Sequence, residues 1–471
     1  MSRELVSMAA REVVRRLQAG EIKPVELVEA ALARMDAVEP AVNAVPTRCP
    51  ERALARAREL EGRAEETLLG GLPVVVKDLH EVAGVRTTFG SPIFADHVPT
   101  ASDRAVRRQE DAGAIVLGKS NTPEFGAGAN TFNEVFGATR NPWNTALSCA
   151  GSSGGAAVAL ATGTAWLADG SDLGGSLRNP AAFTGVVGLR PSPGRVVNAK
   201  ELNRFQSLSV RGPMARDVRD LALFLDVMAG FDAHDPLTFD APSVPFREAV
   251  ERPPRLKRVA FSPDLGGITP VDPEVAAICE RAARAFEELG VEVVAAAPDL
   301  GLAVDTFTTL RAELFAANMA PLLAAHRDLL KPEVIWNIEQ GLALDADAIG
   351  AAERARSVMH ANYVDFLEDY DLLLCPAAIC PPYPIEQRWV EELNGHRFAS
   401  YIDWVTVAFA ITLTGAPALS LPAGLTAAGL PVGLQMVGRP RGEALLLAAA
   451  AQLEDRIGRL LDGVLDPRTP G

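Results

Sequence analysis

Two serine–glycine clusters carry residue types suited to attack on a carbonyl: "SCAGSSGGAA" (Ser148 to Ala157) and "ADGSDLGGSLRNPAAFTG" (Ala168 to Gly185). Glycine-rich turns allow a close backbone approach and let successive N–H groups converge on one point. In the second cluster, the N–H groups of Leu173, Gly174, Gly175 and Ser176 are candidates for an oxyanion hole, with Ser176 beside it as nucleophile. A serine nucleophile needs a base, and none of the six histidines lies in a motif that singles it out. The candidate is Lys77, at the end of the apolar run "LPVVVK". Burial there would lower its pKa and leave part of it neutral, able to accept a proton. The competing arrangement pairs Lys77 with Asp78 or another carboxylate at the surface. Lysine is rare in this chain, with only six among 45 basic residues. A lysine in apolar surroundings is therefore informative, because it can lose its proton where arginine cannot.

Two short motif matches fail on context. Residues 113–120, "GAIVLGKS", satisfy the phosphate-loop pattern, but their variable residues Ala-Ile-Val-Leu read as a strand and Pro123 opposes an immediate helix. Residues 151–155 satisfy G-x-S-x-G, which would nominate Ser153 as nucleophile. A nucleophile elbow needs a strand running into the serine, whereas "ATRNPWNTALSCA" precedes it and is rich in turn formers.

The elements that would position these groups alternate along the chain. Residues 1–66 read as helices, followed by the short β-branched run "GLPVVVKD" as the first clear strand. Helices and strands then alternate to about 230, a catalytic core over 67–230 in an α/β sheet with buried strands. Residues 304–370 read as a helical excursion lining the substrate pocket, and buried strands return at "YDLLLCPA" and "APALSLPAGL". The whole, 1–471, reads as a single large domain.

Composition narrows the function classes. The chain has 48% apolar and 22% charged residues, an ordinary globular balance, and a net charge of −15. An acidic chain argues against a nucleic-acid partner. No apolar stretch is long enough for a membrane span, and the N-terminus lacks a signal-peptide core. The five cysteines and six histidines show no metal-ligand spacing, so no metal or other cofactor is expected and the thiols are expected reduced, in a cytoplasm.

Several longer stretches occur in order: "GLPVVVKDLHEVAG", "LGKSNTPEFGAG", "NPWN", "GSSGG", "GSDLGGSLRNPAAFTGVVGLRPSPGRV" and "GLPVGLQMVGRP". Together they resemble the amidase signature family, over nearly the whole chain. The resemblance implies a large central mixed, twisted β-sheet covered on both faces by helices. It also implies a Ser–cisSer–Lys triad. In this sequence Ser176 would be the acylated nucleophile, Ser152 the bridging serine after a cis peptide bond, and Lys77 the ultimate base. Ser153, Asp172 and Arg178 match supporting positions. The sequence departs from the family's frequent "GTDTGGS" and "PGGSSGG" with "GSDLGGS" and "CAGSSGG", both of which spare the triad. Cys149 is expected to be packed rather than reactive.

What the resemblance implies for activity is hydrolysis of carbon–nitrogen bonds in small-molecule amides, through an acyl-enzyme on Ser176. An aryl-amidase or urethanase-like member, with side activity on esters, is the expectation. Substrate choice would lie in segments 126–136, 197–210 and 304–345, with Gly126 and Ala127 at the start of the first. Phe307, Phe315, Met319 and Trp336 either line the pocket or pack the helical excursion. A monomer or homodimer is expected. The alternative is the glutaminase subunit of a tRNA-dependent amidotransferase, which shares the triad and works inside a complex.

Overall fold

The computed structural model describes residues 2–198, 203–461 and 463–470. Residues 199–202, within the variable segment 197–210, lie outside the described residues. Eleven strands among the described residues join in one mixed sheet: β1 (Thr47–Arg48), β2 (Pro73–Lys77), β3 (Ile115–Ser120), β4 (Leu167–Asp172), β5 (Val187–Arg190), β6 (Val210–Ala215), β7 (Arg258–Phe261), β8 (Glu292–Ala295), β9 (Leu372–Pro376), β10 (Ala418–Leu425) and β11 (Pro431–Val437). Their order is β1-β3-β2-β4-β6-β5-β10-β11-β9-β7-β8. Parallel blocks, β3-β2-β4 and β9-β7-β8, flank an antiparallel centre. Helices flank this sheet, an α/β architecture.

Parallel strands inside a sheet covered on both faces are buried along their length. Every residue of β2 and β3 is buried. Of the run "AIVL" inside the apparent phosphate-loop match, Ile115, Val116 and Leu117 open β3. The N-terminal region folds as helices over Ser2–Ser7, Ala10–Gln18, Pro24–Val42 and Pro50–Leu60. It departs from an all-helical reading at Thr47–Arg48, which lies extended as β1 along β3. The reason is steric: a Cβ at Gly118 would stand 2.3 Å from Thr47 O, so the glycine admits this edge pairing. The run 304–370 forms three helices, α3 (Ala303–His326), α4 (Pro332–Leu342) and α5 (Ala346–Asp369), named after α1 (Gly154–Thr162) and α2 (Arg178–Thr184) nearer the serine clusters.

Helix α1, "GGAAVALAT", is buried at every residue and packs across β2, β3, β4 and β6. Small side chains make that approach possible. A Cβ at Gly155 would lie 2.3 Å from Asn121 N and 2.6 Å from Ala44 O, both rigid backbone atoms. Gly155→Ala should therefore cost about 1–3 kcal/mol of stability, as overpacking of a filled core does. Chemical denaturation reads this, and an unchanged midpoint would contradict the packing.

Candidate active site

Strands β2 and β4 are parallel neighbours, so both carboxyl ends emerge at one edge of the sheet, where α/β folds build sites. Lys77 is the last residue of β2, and β4 ends at Asp172, followed by the turn 173–177 and helix α2. The first serine cluster joins them from the start of α1, and the Gly151–Ser152 peptide bond is cis. The three segments meet at the Lys77 amine. Its Nζ is 2.7 Å from Ser152 Oγ, 2.8 Å from Ser153 Oγ and 3.1 Å from Ser171 Oγ. The Ser153 N–H donates to Ser176 O at 3.1 Å, tying the two clusters together.

Lys77 is fully buried and, among the described residues, has no carboxylate at ion-pair distance. The alternative partner, Asp78, is taken by Lys119 at 3.1 Å and by Thr88. Burial pushes Lys77 down to about 7, against the pull of Asp172 and Asp169. The lysine of the rejected phosphate-loop match is thus the buried counter-ion that keeps Asp78 away from Lys77.

Asp172 organises the turn before α2. Its Oδ1 accepts the Gly175 N–H at 3.0 Å and Arg178 Nη2 at 2.8 Å, while its Oδ2 accepts the Leu177 N–H at 3.0 Å and Arg178 Nε at 3.1 Å. Arg190 Nη1 donates to the Asp172 carbonyl at 2.6 Å. Burial by itself would raise the Asp172 pKa, but Arg178, Arg190 and the backbone N–H outweigh it and hold the carboxyl well below the usual range. This corrects one expectation. Gly175, with φ at +110°, turns its N–H toward Asp172, so it is not available as a donor to a bound oxyanion. The N–H groups of Leu173, Gly174 and Ser176 have no acceptor among the described residues.

Above the amine lies a cavity of about 340 Å³. Ser152, Ser176, Leu173 and Gly126 line it at the serine end, and a Cβ at Gly126 would come within 3.4 Å of Ser152 Oγ. Ala127 does not line it: it is buried beside Phe315, and its carbonyl accepts a hydrogen bond from Lys331 Nζ. Of the four large side chains weighed from sequence, Phe315 and Met319 face the cavity. Phe307 instead stacks on Phe409 with centroids 4.3 Å apart, and Trp336 packs edge-on to Tyr401. Ser153 is fully buried behind the cavity, and burial pushes the Cys149 thiol up to about 12.

Sequence inspection missed several lining residues. Phe89 lies in a turn and Phe94 ends the short 3-10 helix Pro92–Phe94, neither with a periodic signal. His80, three residues beyond Lys77, had only that proximity to mark it. Its Nδ1 is 3.0 Å from Asp169 Oδ2, and burial pushes it down to about 4, so it is neutral at pH 7.

Fold and site together define a hydrolase of carbon–nitrogen bonds of the amidase signature type. Residues 26–447 match the Amidase family model, and the chain belongs to that family. It is 37% identical over 461 residues to the acylamidase of Rhodococcus erythropolis, covering 95% of each chain. It is also 37% identical over 452 residues to a glutamyl-tRNA(Gln) amidotransferase subunit from Moorella thermoacetica, covering 90% of this chain and 91% of that one. Among solved structures, a bacterial aryl acylamidase of the amidase signature family superposes with a TM-score of 0.90 at 29% identity, covering 96% of each chain.

Removing the Asp172 carboxylate would leave Arg178 and Arg190 buried without their shared counter-ion. Asp172→Ala should destabilise the fold by about 3–5 kcal/mol, the usual cost of breaking a buried ion pair on one side. Equilibrium denaturation measures it, and a loss under about 1 kcal/mol would contradict the clamp.

Proposed function

We propose that this amidase hydrolyses amides with an apolar or aromatic group, anilides in particular, and that aryl carbamates and esters enter the same site. The observation that carries this is the fully buried Lys77 amine, 2.7 Å from Ser152 Oγ beneath a largely apolar cavity that Ser176 also lines. Neutral Lys77 takes the proton of Ser152, which takes that of Ser176 as its Oγ attacks the carbonyl carbon. The N–H groups of Leu173, Gly174 and Ser176 stabilise the tetrahedral oxyanion. Collapse breaks the carbon–nitrogen bond as the proton held on Lys77 returns through Ser152 to the leaving amine. Water then attacks the Ser176 acyl-enzyme by the same relay and releases the acid. Ser153 and Ser171 hold the amine in place, and the Asp172–Arg178 pair holds the turn.

The wall residues favour this over a glutaminase subunit: Phe89, Phe94, Phe125 and Phe315 form an apolar wall suited to an aryl or alkyl group. The competing reading draws on the Moorella relative. The purified chain alone should hydrolyse 4-nitroanilides faster than glutamine. Glutaminase activity appearing only with added partner subunits would reverse the assignment.

Two further outcomes test the relay. Ser176→Ala should lose at least ~10³-fold in kcat for anilides, measured by 4-nitroaniline release. The acylation rate should rise with pH along a limb centred near 7, because the protonated form of Lys77 is inactive and the neutral form is the base. In Lys77→Met the residual rate should lose that limb. A limb that persists would assign the titration to another group.

A further inference from the structure

Two arginines that the relay does not use line the cavity, and one of them, Arg211, is paired with Asp103 at 2.8 Å. Arg311, on α3, is only 6% exposed and lines the same cavity as Ser152 and Ser176. Its one hydrogen bond among the described residues runs from Nη2 to Tyr401 Oη at 2.6 Å, and its Nε has no acceptor. The guanidinium packs over the Phe315 ring at 4.4 Å and the Tyr401 ring at 5.7 Å. Aromatic faces attract a cation without neutralising it. A buried permanent cation with no counter-ion is costly, and such groups are normally paired.

The neighbouring carboxylates do not supply that pair. Glu333 is held in a forked contact by Arg388, at 2.6 Å and 2.7 Å from one nitrogen. Glu124 accepts from Ser91 Oγ at 2.6 Å and from the Lys331 N–H at 2.8 Å. Around this end of the cavity stand three cations, Arg311, Lys331 and Arg388, against two carboxylates, Glu124 and Glu333. Among the described residues neither carboxylate stands at ion-pair distance from Arg311. Farther along the same face of α3, the Asn318 Oδ1 is also buried without a partner and lines the cavity.

Helix α3 also sets how far this group stands from the chemistry. Phe307 touches the turn that carries the unused N–H groups: a Cβ at Gly174 would be 3.0 Å from Phe307 Cζ. Arg311 is four residues on, one turn along the same helix face, a rise of about 6 Å. A substrate with its carbonyl over Ser176 would extend toward Arg311 after a short spacer.

We propose that Arg311 anchors a second subsite that takes a carboxylate on the substrate, at the end remote from the scissile carbonyl, so that the enzyme prefers anionic amides. This rests on the reading of the same cavity as the amide-binding site. Met319, Phe315 and Leu314 hold the apolar spacer, and the guanidinium receives the carboxylate through its unused N–H groups. The carboxylate sits either on the acyl chain or on the amine side, and matched substrates separate the two.

The experiment uses two pairs of amides that differ only in that charge. One pair is glutaric acid mono-4-nitroanilide against pentanoic acid 4-nitroanilide; the other is 4-acetamidobenzoate against 4-methylacetanilide. The carboxylated member of at least one pair should have kcat/KM higher by ~10-fold or more, as a charge-assisted contact provides. In Arg311→Met that ratio should fall to about one, and Arg311→Lys should keep part of it. A ratio near one in the unaltered enzyme, or one that Arg311→Met leaves unchanged, overturns the proposal. A binding arm is independent of turnover: glutarate and benzoate are titrated calorimetrically into Ser176→Ala, with and without Arg311→Met. If the unaltered enzyme cleaves none of the four amides, the proposed activity falls and this arm alone decides the subsite. Carboxylate binding lost with Arg311 supports it, and binding that is absent or indifferent to Arg311 overturns it.

Discussion

An amine deep in a protein stays protonated when a carboxylate stands beside it and tends to neutrality when none does. The Lys77 site depends on keeping carboxylates occupied elsewhere. Three lie close in sequence or space, and each is engaged by other groups. Asp78 is bound by Lys119 and Thr88. Asp169 accepts from His80, from Gln109 and from the Lys77 backbone N–H. Asp172 is clamped by Arg178 and Arg190. What remains around the Lys77 nitrogen is a set of serine hydroxyls, which can bond either form of the amine without fixing its charge.

The same engagements shape the backbone. Asp172 takes two N–H groups from the turn that follows it and leaves those of Leu173, Gly174 and Ser176 without acceptors. One side chain thus withdraws Gly175 from the anion site and fixes the turn that presents the others. Across from it, the glycines opening α1 let the helix press against backbone at Asn121 and Ala44, which brings Ser152 and Ser153 within reach of the lysine. Sheet, turn and helix meet at the amine because β2 and β4 are parallel neighbours ending on one edge.

The cavity adds a contrast of environments. Its serine end is polar and its walls are phenylalanines and long aliphatic chains from the 79–94 loop and α3. No helix among the described residues is long and apolar enough to cross a membrane. The apolar content of α3 therefore goes into the cavity wall and into packing against α4, α5 and the Thr406–Thr414 helix. Within that wall Arg211 is paired with Asp103, while Arg311 has no countercharge at ion-pair distance among the described residues.

Local chemistry was legible in the sequence wherever it depends on neighbours along the chain. The valine run ending at Lys77 marks a buried strand, the two glycine-rich clusters mark turns with exposed N–H groups, and the ordered motifs mark the family. Whether Lys77 pairs with Asp78 was not legible, since adjacent side chains in an extended chain point to opposite sides and their partners come from other elements. Lys119, on the neighbouring strand, decided it. The loss of Gly175 as a donor, the exclusion of Ala127 and the isolation of Arg311 were likewise settled in three dimensions. Each depends on which acceptor or void lies across from a group, and that is a property of packing between segments distant in sequence.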